Sequence, residues 1–519
     1  MTHRFEESEK NVQQYPFHQF WFDQEKLEGD LQRFKSFKSE VISAIGLQIL
    51  SNLRSLSSLN LALKIGCHYP SGRHPRLVLF DQDRNPIERK HASTEQISYF
   101  LALKLVNSSD EKFFQKYFEI ISKSYLLNLK SCLSKIQKDK QKTILFITRR
   151  CFFVVKKIAR ELRKKGHICV LITIEDLVNQ DDYKDSFDIL LGGLDNYLFL
   201  SHVIKSLKVD LFYIQCMMWD YGLAKIVDSQ RNASKLVCEF YDITGIYAST
   251  DKLKLLWSSN QVDGDLYFED FIFDNADLVL SRFSHSIIQE YRGKPVIHHA
   301  EVQPTISRAK VIKKVPYEIV SNPTRLVYLG NLIPRNEHHP QCLFPLWGMP
   351  EAWQLLLEQK FEIHVYNSPF RSLKEPGMAP IVNLSRTFSN LHFYEGLPHE
   401  EIIDEITKFD FGINLSVVDF RKNQNGKLLW RGAVGTKIFT YLEGGLPVLV
   451  NKEFESMSSF ISANNLGYAI SSNEIHELSK KLGKIDYKEI RDNVSKFNEQ
   501  NTFERFNSKA LGMLDELLR

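Results

Sequence analysis

Hydrophobic positions in the first 140 residues recur every three or four residues, which is the spacing of buried helical faces. The spacing that begins at Phe114 and Phe118 is the clearest case, and a short apolar run at residues 76–80 predicts one strand. We therefore predict a mainly helical N-terminal module over residues 1–140, for which helical packing and partner binding both stay open. Its helices are expected at residues 25–56, 96–106 and 111–136.

From residue 141 the period changes, and short apolar runs rich in branched residues alternate with amphipathic helical stretches. Thr143–Thr148 is the first such run, and Cys151–Lys165 is the first helix, which Gly166 ends. Strands that alternate with helices predict a parallel sheet covered on both faces. We therefore predict a Rossmann-like domain over residues 141–315, with further strands at Ile168–Ile174, Phe187–Leu191, Asp210–Gln215, Lys235–Phe240 and Asp277–Leu280.

A second alternating series follows a basic, proline-containing stretch at residues 308–324, which we interpret as a linker. This series predicts a second Rossmann-like domain over residues 316–519, and the helical segment 487–518 is expected to cross back to the first sheet. The predicted fold class is therefore α/β, with two parallel-sheet domains that face a cleft. The strands of the second domain are expected at Arg325–Tyr328, Phe361–Tyr366, Leu391–Tyr394, Phe411–Leu415 and Pro447–Asn451.

The composition agrees with this organisation. A chain of 519 residues is too long for one hydrophobic core, and its 43% hydrophobic and 25% charged residues are ordinary for a globular protein. A net charge of +4 does not favour nucleic acid as a partner, and seven cysteines without a CxxC pair indicate free thiols. No signal peptide and no apolar run of about 18 residues is recognisable. We therefore expect a cytoplasmic protein without a transmembrane segment; a peripheral contact with the inner face of the membrane stays open.

The most informative stretch for chemistry runs from residue 435 to residue 450. Gly435 precedes about two turns of predicted helix, Gly444 and Gly445 permit a left-handed stop, and a short buried strand follows. The helix start offers backbone N–H groups and a positive dipole end, and Lys437 stands beside them. A cation in the first turn opposes the dipole, which favours a bound phosphate or diphosphate. The alternative is one more αβ unit without a ligand.

Candidate metal ligands are weak in this sequence. Asp81–Asp83 and Asp263–Asp265 match a DxD pattern, but the first is typical of a turn and the second can cap a helix. The pairs His298–His299 and His338–His339 are adjacent, and adjacent side chains of an extended chain point to opposite faces. We therefore predict no metal site. The absence of GxGxxG after any strand also argues against a nicotinamide enzyme.

Several polar residues follow predicted strands of the first sheet domain, where ligands of open α/β sheets bind. Asp242 follows the strand that ends at Phe240, and we take it as the candidate acid of the cleft. Arg149, Arg150 and His285 also follow strands, and each is as well explained as an ordinary loop residue.

Five segments of the second domain, taken in order, resemble a known family. They read LVYLG at 326–330, FEIHVY at 361–366, LHFYEGLPHEEI at 391–402, FDFGINL at 409–415 and the 435–450 stretch. This order resembles the C-terminal, donor-binding domain of GT-B glycosyltransferases, most like the retaining group 1 (family 4-like) proteins. The resemblance covers residues 325–482, is weaker over 143–302 and is lacking before residue 143.

The resemblance implies a nucleotide diphosphate sugar that lies against the C-terminal domain, and an acceptor held mainly by the N-terminal one. By matching position, Gly330 faces the diphosphate. The turn Glu395, Gly396 and Leu397 lies near the nucleotide base. Gly435, Thr436 and Lys437 hold the diphosphate.

The sequence departs from the family pattern at two positions. Asn331 stands where the family usually carries an arginine, and the nearest base is Arg335. Thr440 stands where the family tends to place a glutamate that grips the ribose hydroxyls, and Glu443 lies about one helical turn further on. The usual donor contact, and with it activity, is therefore in question.

The expected function is retaining transfer of a sugar from a nucleotide diphosphate donor to a hydroxyl of a glycan, a lipid-linked or a protein acceptor. Lys437 and Arg335 would neutralise the leaving diphosphate, Asp242 would face the acceptor, and no cofactor beyond the donor is expected. Family analogy implies bacterial surface polysaccharide, glycolipid or glycoconjugate assembly. The alternatives are an inactive GT-B-like binding or scaffold protein, and other GT-B chemistry such as epimerisation or polyol-phosphate transfer.

Overall fold

The structure is a computed structural model of the 519-residue chain. It describes residues 63–64, 78–80, 86–88, 130–131, 133–134, 141–175, 177, 180–194, 197–218, 220–256, 259–306, 322–333, 335, 345–368, 371–375, 377–418 and 426–519. Most of the predicted N-terminal module, most of the predicted linker and both histidines of the 338–339 pair lie outside these residues. The three domain boundaries of the sequence analysis stay predictions.

A small antiparallel sheet stands in the N-terminal region. Its strands are β1 (Leu63–Lys64), β2 (Val78–Phe80) and β3 (Pro86–Glu88), in the order β1-β2-β3. β2 falls within the strand predicted at residues 76–80.

The second sheet has seven strands, all six predicted ones among them. In the order β10-β9-β8-β7-β4-β5-β6, they are β4 (Thr143–Thr148), β5 (Ile168–Thr173), β6 (Ile189–Leu191), β7 (Leu211–Cys216), β8 (Lys235–Phe240), β9 (Leu278–Ser281) and β10 (His299–Glu301). The defined registers are parallel, and every residue of β4 and β5 is buried. Burial on both faces explains why these strands are continuous apolar runs.

The helices of this region are α1 (Phe153–Lys164), α2 (Tyr197–Ser206), α3 (Gly222–Asp228), α4 (Thr244–Tyr247), α5 (Thr250–Leu256), α6 (Ser259–Asn275) and α7 (His285–Arg292). α1 ends one residue before the predicted helix end, and Gly166 follows with φ +88°. This conformation confirms Gly166 as the predicted stop.

The third sheet has six parallel strands in the order β13-β12-β11-β14-β15-β16. They are β11 (Arg325–Gly330), β12 (Glu362–Asn367), β13 (Leu391–Glu395), β14 (Phe411–Asn414), β15 (Val448–Asn451) and β16 (Gly467–Ile470). The chain leaves β11 toward β12 and returns on its other side to β14, so the strand order reverses beside β11. Such a reversal opens a crevice at the carboxyl ends of the strands.

The helices of this region are α8 (Met349–Glu358), α9 (Ala379–Thr387), α10 (His399–Ile406), α11 (Lys427–Gly432), α12 (Thr436–Glu443), α13 (Glu455–Ala463), α14 (Leu478–Leu482), α15 (Tyr487–Gln500), α16 (Phe503–Phe506) and α17 (Ser508–Leu518). They cover both faces of the sheet. Tyr328 packs with Trp353 on one face, whereas its neighbours Val327 and Leu329 pack with Ile438 on the other. The alternation along β11 therefore builds two cores.

The predicted C-terminal helix is three helices, α15 to α17. The Asn507 side chain exchanges two hydrogen bonds with the backbone of Gln303, at 2.8 and 2.9 Å, and the Phe503 N–H donates to the Ile306 carbonyl at 2.6 Å. The chain end thus returns to the segment that follows β10. Among the helices that the structure describes, none is both long and apolar enough to cross a membrane.

Two compact units can be distinguished. One contains the described parts of residues 1–152 with 162–215 and 222–236, and the other contains residues 153–161, 216–221 and 237–519. Except for the contacts of Arg149 and Arg150, all site contacts below lie within the second unit.

Candidate functional site

The Lys437 side chain lies across the carboxyl end of β11, beside Gly330. Gly330 has φ +97°, a left-handed conformation that favours glycine. A Cβ on Gly330 would lie 3.3 Å from Cε of Lys437, a close approach. Both the backbone conformation of Gly330 and the space beside it therefore favour glycine at this position. The Lys437 side chain extends from α12 past Gly330 to Tyr328.

The Lys437 ammonium has an unusual environment. Its Nζ donates to the Tyr328 hydroxyl at 2.5 Å and lies 4.0 Å from the centre of the Tyr328 ring. The hydroxyl donates in turn to the Asn331 carbonyl at 2.7 Å, so it accepts from Lys437 with a free lone pair. Burial lowers the pKa of Lys437 from 10.5 to about 7, and no carboxylate of the described residues pairs with it. An anion beside Nζ would raise that pKa again.

The amino-terminal end of α12 adds further donors. Gly435 is the N-cap residue, and no side chain caps this end of the helix. Thr436 forms a hydrogen bond with the Tyr241 side chain, whose pKa burial raises to about 12. First-turn N–H groups, the helix dipole and Lys437 together form a region suited to an anion.

Two predicted donor-binding residues, Gly330 and Glu395, lie at the carboxyl ends of strands on either side of β12. Gly330 is in register with Asn367 of β12, and Asn367 is in register with Glu395 of β13. Gly330 and Glu395 are therefore separated by two strand spacings, about 10 Å. Asn331, Glu395 and Leu397 are exposed, and Gly396 is half-buried. The edge from Gly330 to Leu397 can thus face a ligand of nucleotide length.

Arg335 has a carboxylate partner. Its guanidinium pairs with Glu351 of α8 and lies 5.0 Å from the centre of the Trp347 ring. The backbone N–H of Arg335 donates to the Gly377 carbonyl at 2.8 Å. To contact a diphosphate, as predicted, the Arg335 guanidinium would have to leave Glu351 or bind both groups at once.

Asp242 is also paired. Its carboxylate accepts from Arg282 Nη2 and from the Tyr247 hydroxyl, both at 2.6 Å, while its backbone carbonyl accepts from Tyr221. Burial raises the pKa of Tyr247 well above its usual value, and the negative charge of Asp242 raises that pKa further. The carboxylate is therefore largely neutralised by Arg282, and its predicted role toward an acceptor stays a prediction.

Glu443 and Thr440 differ in their surroundings. The Glu443 side chain is 2% exposed and lies 3.1 Å from His399 Nε2 and 3.6 Å from Lys157 Nζ. Lys157 also donates to the carbonyls of Pro304 and Thr305. Thr440 is half-buried. Glu443 is held inside the protein by the Lys157 ammonium and by its contact with His399, so the predicted ribose contact is not visible in its present pairing.

The weaker candidates have ordinary explanations. Arg431 of α11, a basic residue four positions before Gly435, pairs with Glu290 at 2.6 Å and with Glu455 at 3.4 Å. Arg149 and Arg150 both contact Glu175. His285 stacks on His299. The expectation that Asp263–Asp265 caps a helix is wrong, because both residues lie inside α6, where Asp263 pairs with Lys254 and Asp265 accepts from Thr244.

Sequence reasoning missed Tyr328, the hydrogen-bond partner of Lys437. Its position two residues before Gly330 in a buried strand is the one signal available. It also missed a cluster of Glu362, His364 and His392, because the search for metal ligands considered only DxD patterns and adjacent histidines. An acid and a histidine two residues apart in a strand share one face, which is the pattern that finds them.

The comparisons with known proteins agree with this architecture. Residues 377–513 match the family model described as "Glucosyltransferase 3-like, C-terminal domain". A glycosyltransferase from Rickettsia africae ESF-5 is similar over 73% of this chain and 99% of its own, with a TM-score of 0.50 and 13% sequence identity. The chain therefore has the GT-B fold with two parallel-sheet domains, which confirms the predicted fold class. No curated protein gives a significant match.

Two further solved structures are similar at a lower level. A glycosyltransferase involved in avilamycin A biosynthesis has 10% identity and a TM-score of 0.43, covering 73% of this chain and 98% of its own. A UDP-GlcNAc 2-epimerase from Neisseria meningitidis has 10% identity and a TM-score of 0.41, covering 72% and 100%. The span of the glucosyltransferase-like match includes Lys437 and α12 but not Gly330. Together the family match and the fold support a GT-B glycosyltransferase.

Proposed function

We propose that this protein transfers a sugar from a nucleotide diphosphate sugar to a hydroxyl acceptor. The observation that carries the proposal is the half-buried Lys437, whose ammonium has a neutral hydroxyl as its polar partner at the end of β11. Desolvation of a cation without a counter-charge is costly, and a diphosphate would supply that charge. The uncapped start of α12 would donate to the same anion.

Lys437 would then act mainly on the leaving group. Negative charge on the diphosphate grows as the bond to the sugar breaks, so a contact with Lys437 strengthens toward the transition state. By analogy with the retaining group 1 proteins, the leaving phosphate takes the acceptor proton, and we name no protein nucleophile. The row from Gly330 to Leu397 would hold the rest of the nucleotide.

The acceptor class rests on the resemblance alone. We propose a glycan, a lipid-linked or a protein hydroxyl in bacterial surface polysaccharide, glycolipid or glycoconjugate assembly, on the cytoplasmic side of the membrane. The similarity of residues 377–513 to a glucosyltransferase domain favours a hexose as the transferred sugar.

A second candidate is a GT-B-like protein that binds a nucleotide without transferring sugar. The observation in its favour is that Arg335 and Asp242, two of the three predicted catalytic residues, already pair with Glu351 and Arg282. A binding protein would keep the Lys437 contact and lack turnover.

The test begins with a thermal-shift screen of nucleotide diphosphates and their sugars, because a ligand at about 100 times its dissociation constant stabilises by about 2.7 kcal/mol. The best donor is then incubated with hydroxyl acceptors, and the products are identified. A free nucleotide diphosphate and a glycosylated acceptor support transfer, whereas a nucleotide monophosphate indicates polyol-phosphate transfer.

The matched variants are Lys437→Met and Lys480→Met, since Lys480 is an exposed lysine of the same compact unit. We expect the first to lose donor binding and turnover and the second to lose neither. Binding that depends on Lys437 without turnover favours the binding protein, and equal behaviour of both variants contradicts both candidates.

A further inference from the structure

Three potential metal ligands converge at the amino-terminal ends of β12 and β13. Glu362 and His364 are two residues apart in β12 and share one face of the strand. His392 of β13 is in register with His364. One carboxylate oxygen, Glu362 Oε1, lies 3.2 Å from His364 Nε2 and 3.0 Å from His392 Nε2.

We propose that Glu362, His364 and His392 bind a Zn²⁺ ion, with water as the fourth ligand. The three donor atoms all lie within 4.8 Å of one another. Two imidazoles with one carboxylate suit Zn²⁺, whereas Mg²⁺ and Ca²⁺ prefer oxygen ligands only. The His392 side chain is 36% exposed, so an ion and its water can reach the cluster.

The distances fit tetrahedral coordination. Zn–N and Zn–O bonds of about 2.0–2.2 Å at tetrahedral angles place neighbouring donor atoms about 3.3–3.5 Å apart. The separations of Glu362 Oε1 from the two nitrogens are 3.2 and 3.0 Å, so an ion would need these two pairs to move apart by only a few tenths of an ångström. The remaining pair, one donor atom each of His364 and His392, is at most 4.8 Å apart.

The orientation of His364 supports the same conclusion. Its Nδ1 lies 3.1 Å from the Tyr394 hydroxyl, and a proton on Nδ1 would leave the lone pair of Nε2 directed to the cluster. Nε2 is buried and, within the part of the chain that the structure describes, makes no hydrogen bond although Glu362 Oε1 is close. His364 Nε2 thus faces the Glu362 carboxylate without forming a hydrogen bond to it. A cation between the two groups accounts for this arrangement.

Two cations act electrostatically on His364, Lys408 and Arg325. Lys408 pairs with Glu405, and Arg325 of β11 is in register with Glu362. The alternative explanation is that the Glu362 carboxylate shares protons with the two imidazoles and binds no ion. This alternative predicts no selectivity among metals.

The site is separate from the proposed donor region. Glu362 begins β12 and Asn367 ends it, and His364 and His392 each lie three residues before the row that contains Gly330, so the cluster lies about 10–16 Å from that row. An ion there would cross-link the edge strand β13 to β12 and stabilise the third sheet. The inference does not rest on the proposed function, and its test does not require activity.

The test uses the full chain without a histidine tag, freed of metal with a chelator. Calorimetry should find one Zn²⁺ bound at the cluster, and Zn²⁺ should raise the melting temperature where the same concentration of Mg²⁺ does not. His392→Gln and Glu362→Gln should each weaken Zn²⁺ binding about tenfold or more, since even losing an outer partner costs about 10–100-fold. His476→Gln is the control, because His476 is a surface histidine with a 59% exposed side chain.

Substitution with Co²⁺ gives a readout that does not depend on the variants folding well. The wild-type protein should show the intense visible absorption of four-coordinate Co²⁺, and circular dichroism without metal should match between wild type and variants. Absence of Zn²⁺ binding, a six-coordinate Co²⁺ spectrum, or binding that His392→Gln and Glu362→Gln both leave unchanged would overturn the proposal. The last result would place the ion at other histidines or cysteines.

Discussion

Binding of the nucleotide diphosphate sugar should weaken as the pH rises through about 7, because Lys437 loses its proton in that range. Burial holds the pKa of Lys437 at about 7 in the free protein, against 10.5 for an exposed lysine. An adjacent anion favours the charged form, so the pKa rises in the complex. Between these two pKa values, binding takes up a proton, and affinity should fall about tenfold for each pH unit.

The size of the effect follows from the strength of the contact. A charge-assisted hydrogen bond contributes about 1.5–3 kcal/mol, which corresponds to about 10- to 160-fold in affinity. The pKa of Lys437 in the complex is then about 8 to 9, one to two units above the free value. Affinity should therefore be constant below pH 6, fall from about pH 7, and level off at about pH 8 to 9.

Isothermal titration calorimetry between pH 6 and 9 measures this dependence. Two buffers with different ionisation enthalpies reveal the proton uptake directly. The ligand should be a nucleotide diphosphate sugar, because the terminal phosphate of a free nucleotide diphosphate titrates near pH 6 and would add its own dependence. Lys437→Met should bind more weakly at pH 6 and show no uptake, whereas Lys480→Met should keep the wild-type slope. An equal slope in Lys437→Met, or equal affinity of variant and wild type at pH 6, would refute the assignment of the anion to Lys437.

Three further predictions concern stability. Lys437→Met should raise the free energy of unfolding of the free protein below pH 7. The pKa of Lys437 is lower in the folded state than in the unfolded state, so below pH 7 the charged side chain destabilises the folded protein by at most about 5 kcal/mol. This cost disappears as the pH rises toward 10.5. Glu443→Gln should lower that free energy by about 3–5 kcal/mol, because it removes the buried charge that pairs with Lys157. Burial raises the pKa of Glu269 from 4.5 to about 8, so between these pH values the folded state binds a proton that the unfolded state has lost. The free energy of unfolding should therefore fall as the pH rises from 4.5 to about 8. Glu269→Gln should remove that fall.

Urea unfolding at several pH values measures all three. For Lys437 the control is Lys480→Met, and a gain that persists unchanged at pH 10 would contradict burial as its cause. For Glu443 the double variant Lys157→Met with Glu443→Leu should recover much of the loss, since well-packed apolar pairs replace buried ion pairs at little cost. Donor affinity of Glu443→Gln, measured separately, tests the predicted ribose contact. For Glu269 the exposed Glu477→Gln should keep the wild-type pH dependence.

Much of the fold is determined by local sequence. Branched apolar runs such as Thr143–Thr148 and Val448–Asn451 identify buried parallel strands, because both faces of such strands are covered and no polar alternation is needed. β10 and β16 were not predicted: they are short edge strands, and β16 is only partly buried. The edge strands β6 and β13 were predicted, so edge position alone does not explain the two strands that were missed.

The candidate site divides in the same way. The sequence by itself determined that Gly330, Gly435 and Lys437 stand at the turns where a diphosphate can bind, because glycine and helix-start chemistry depend on near neighbours in the chain. Their role in binding stays a prediction. Only the tertiary structure decided that Lys437 crosses Gly330 to reach Tyr328 and is half-buried without a carboxylate among the described residues.

The partners of the other charged residues were also beyond the sequence. Arg335 meets Glu351, Asp242 meets Arg282, and Glu443 meets Lys157 from a helix far away in the chain. His364 and His392 became neighbours because β12 and β13 pair in parallel register. The physical reason is that helical and strand periods are encoded within a few residues, whereas the pairing of charges depends on which distant segments the order of the strands brings together.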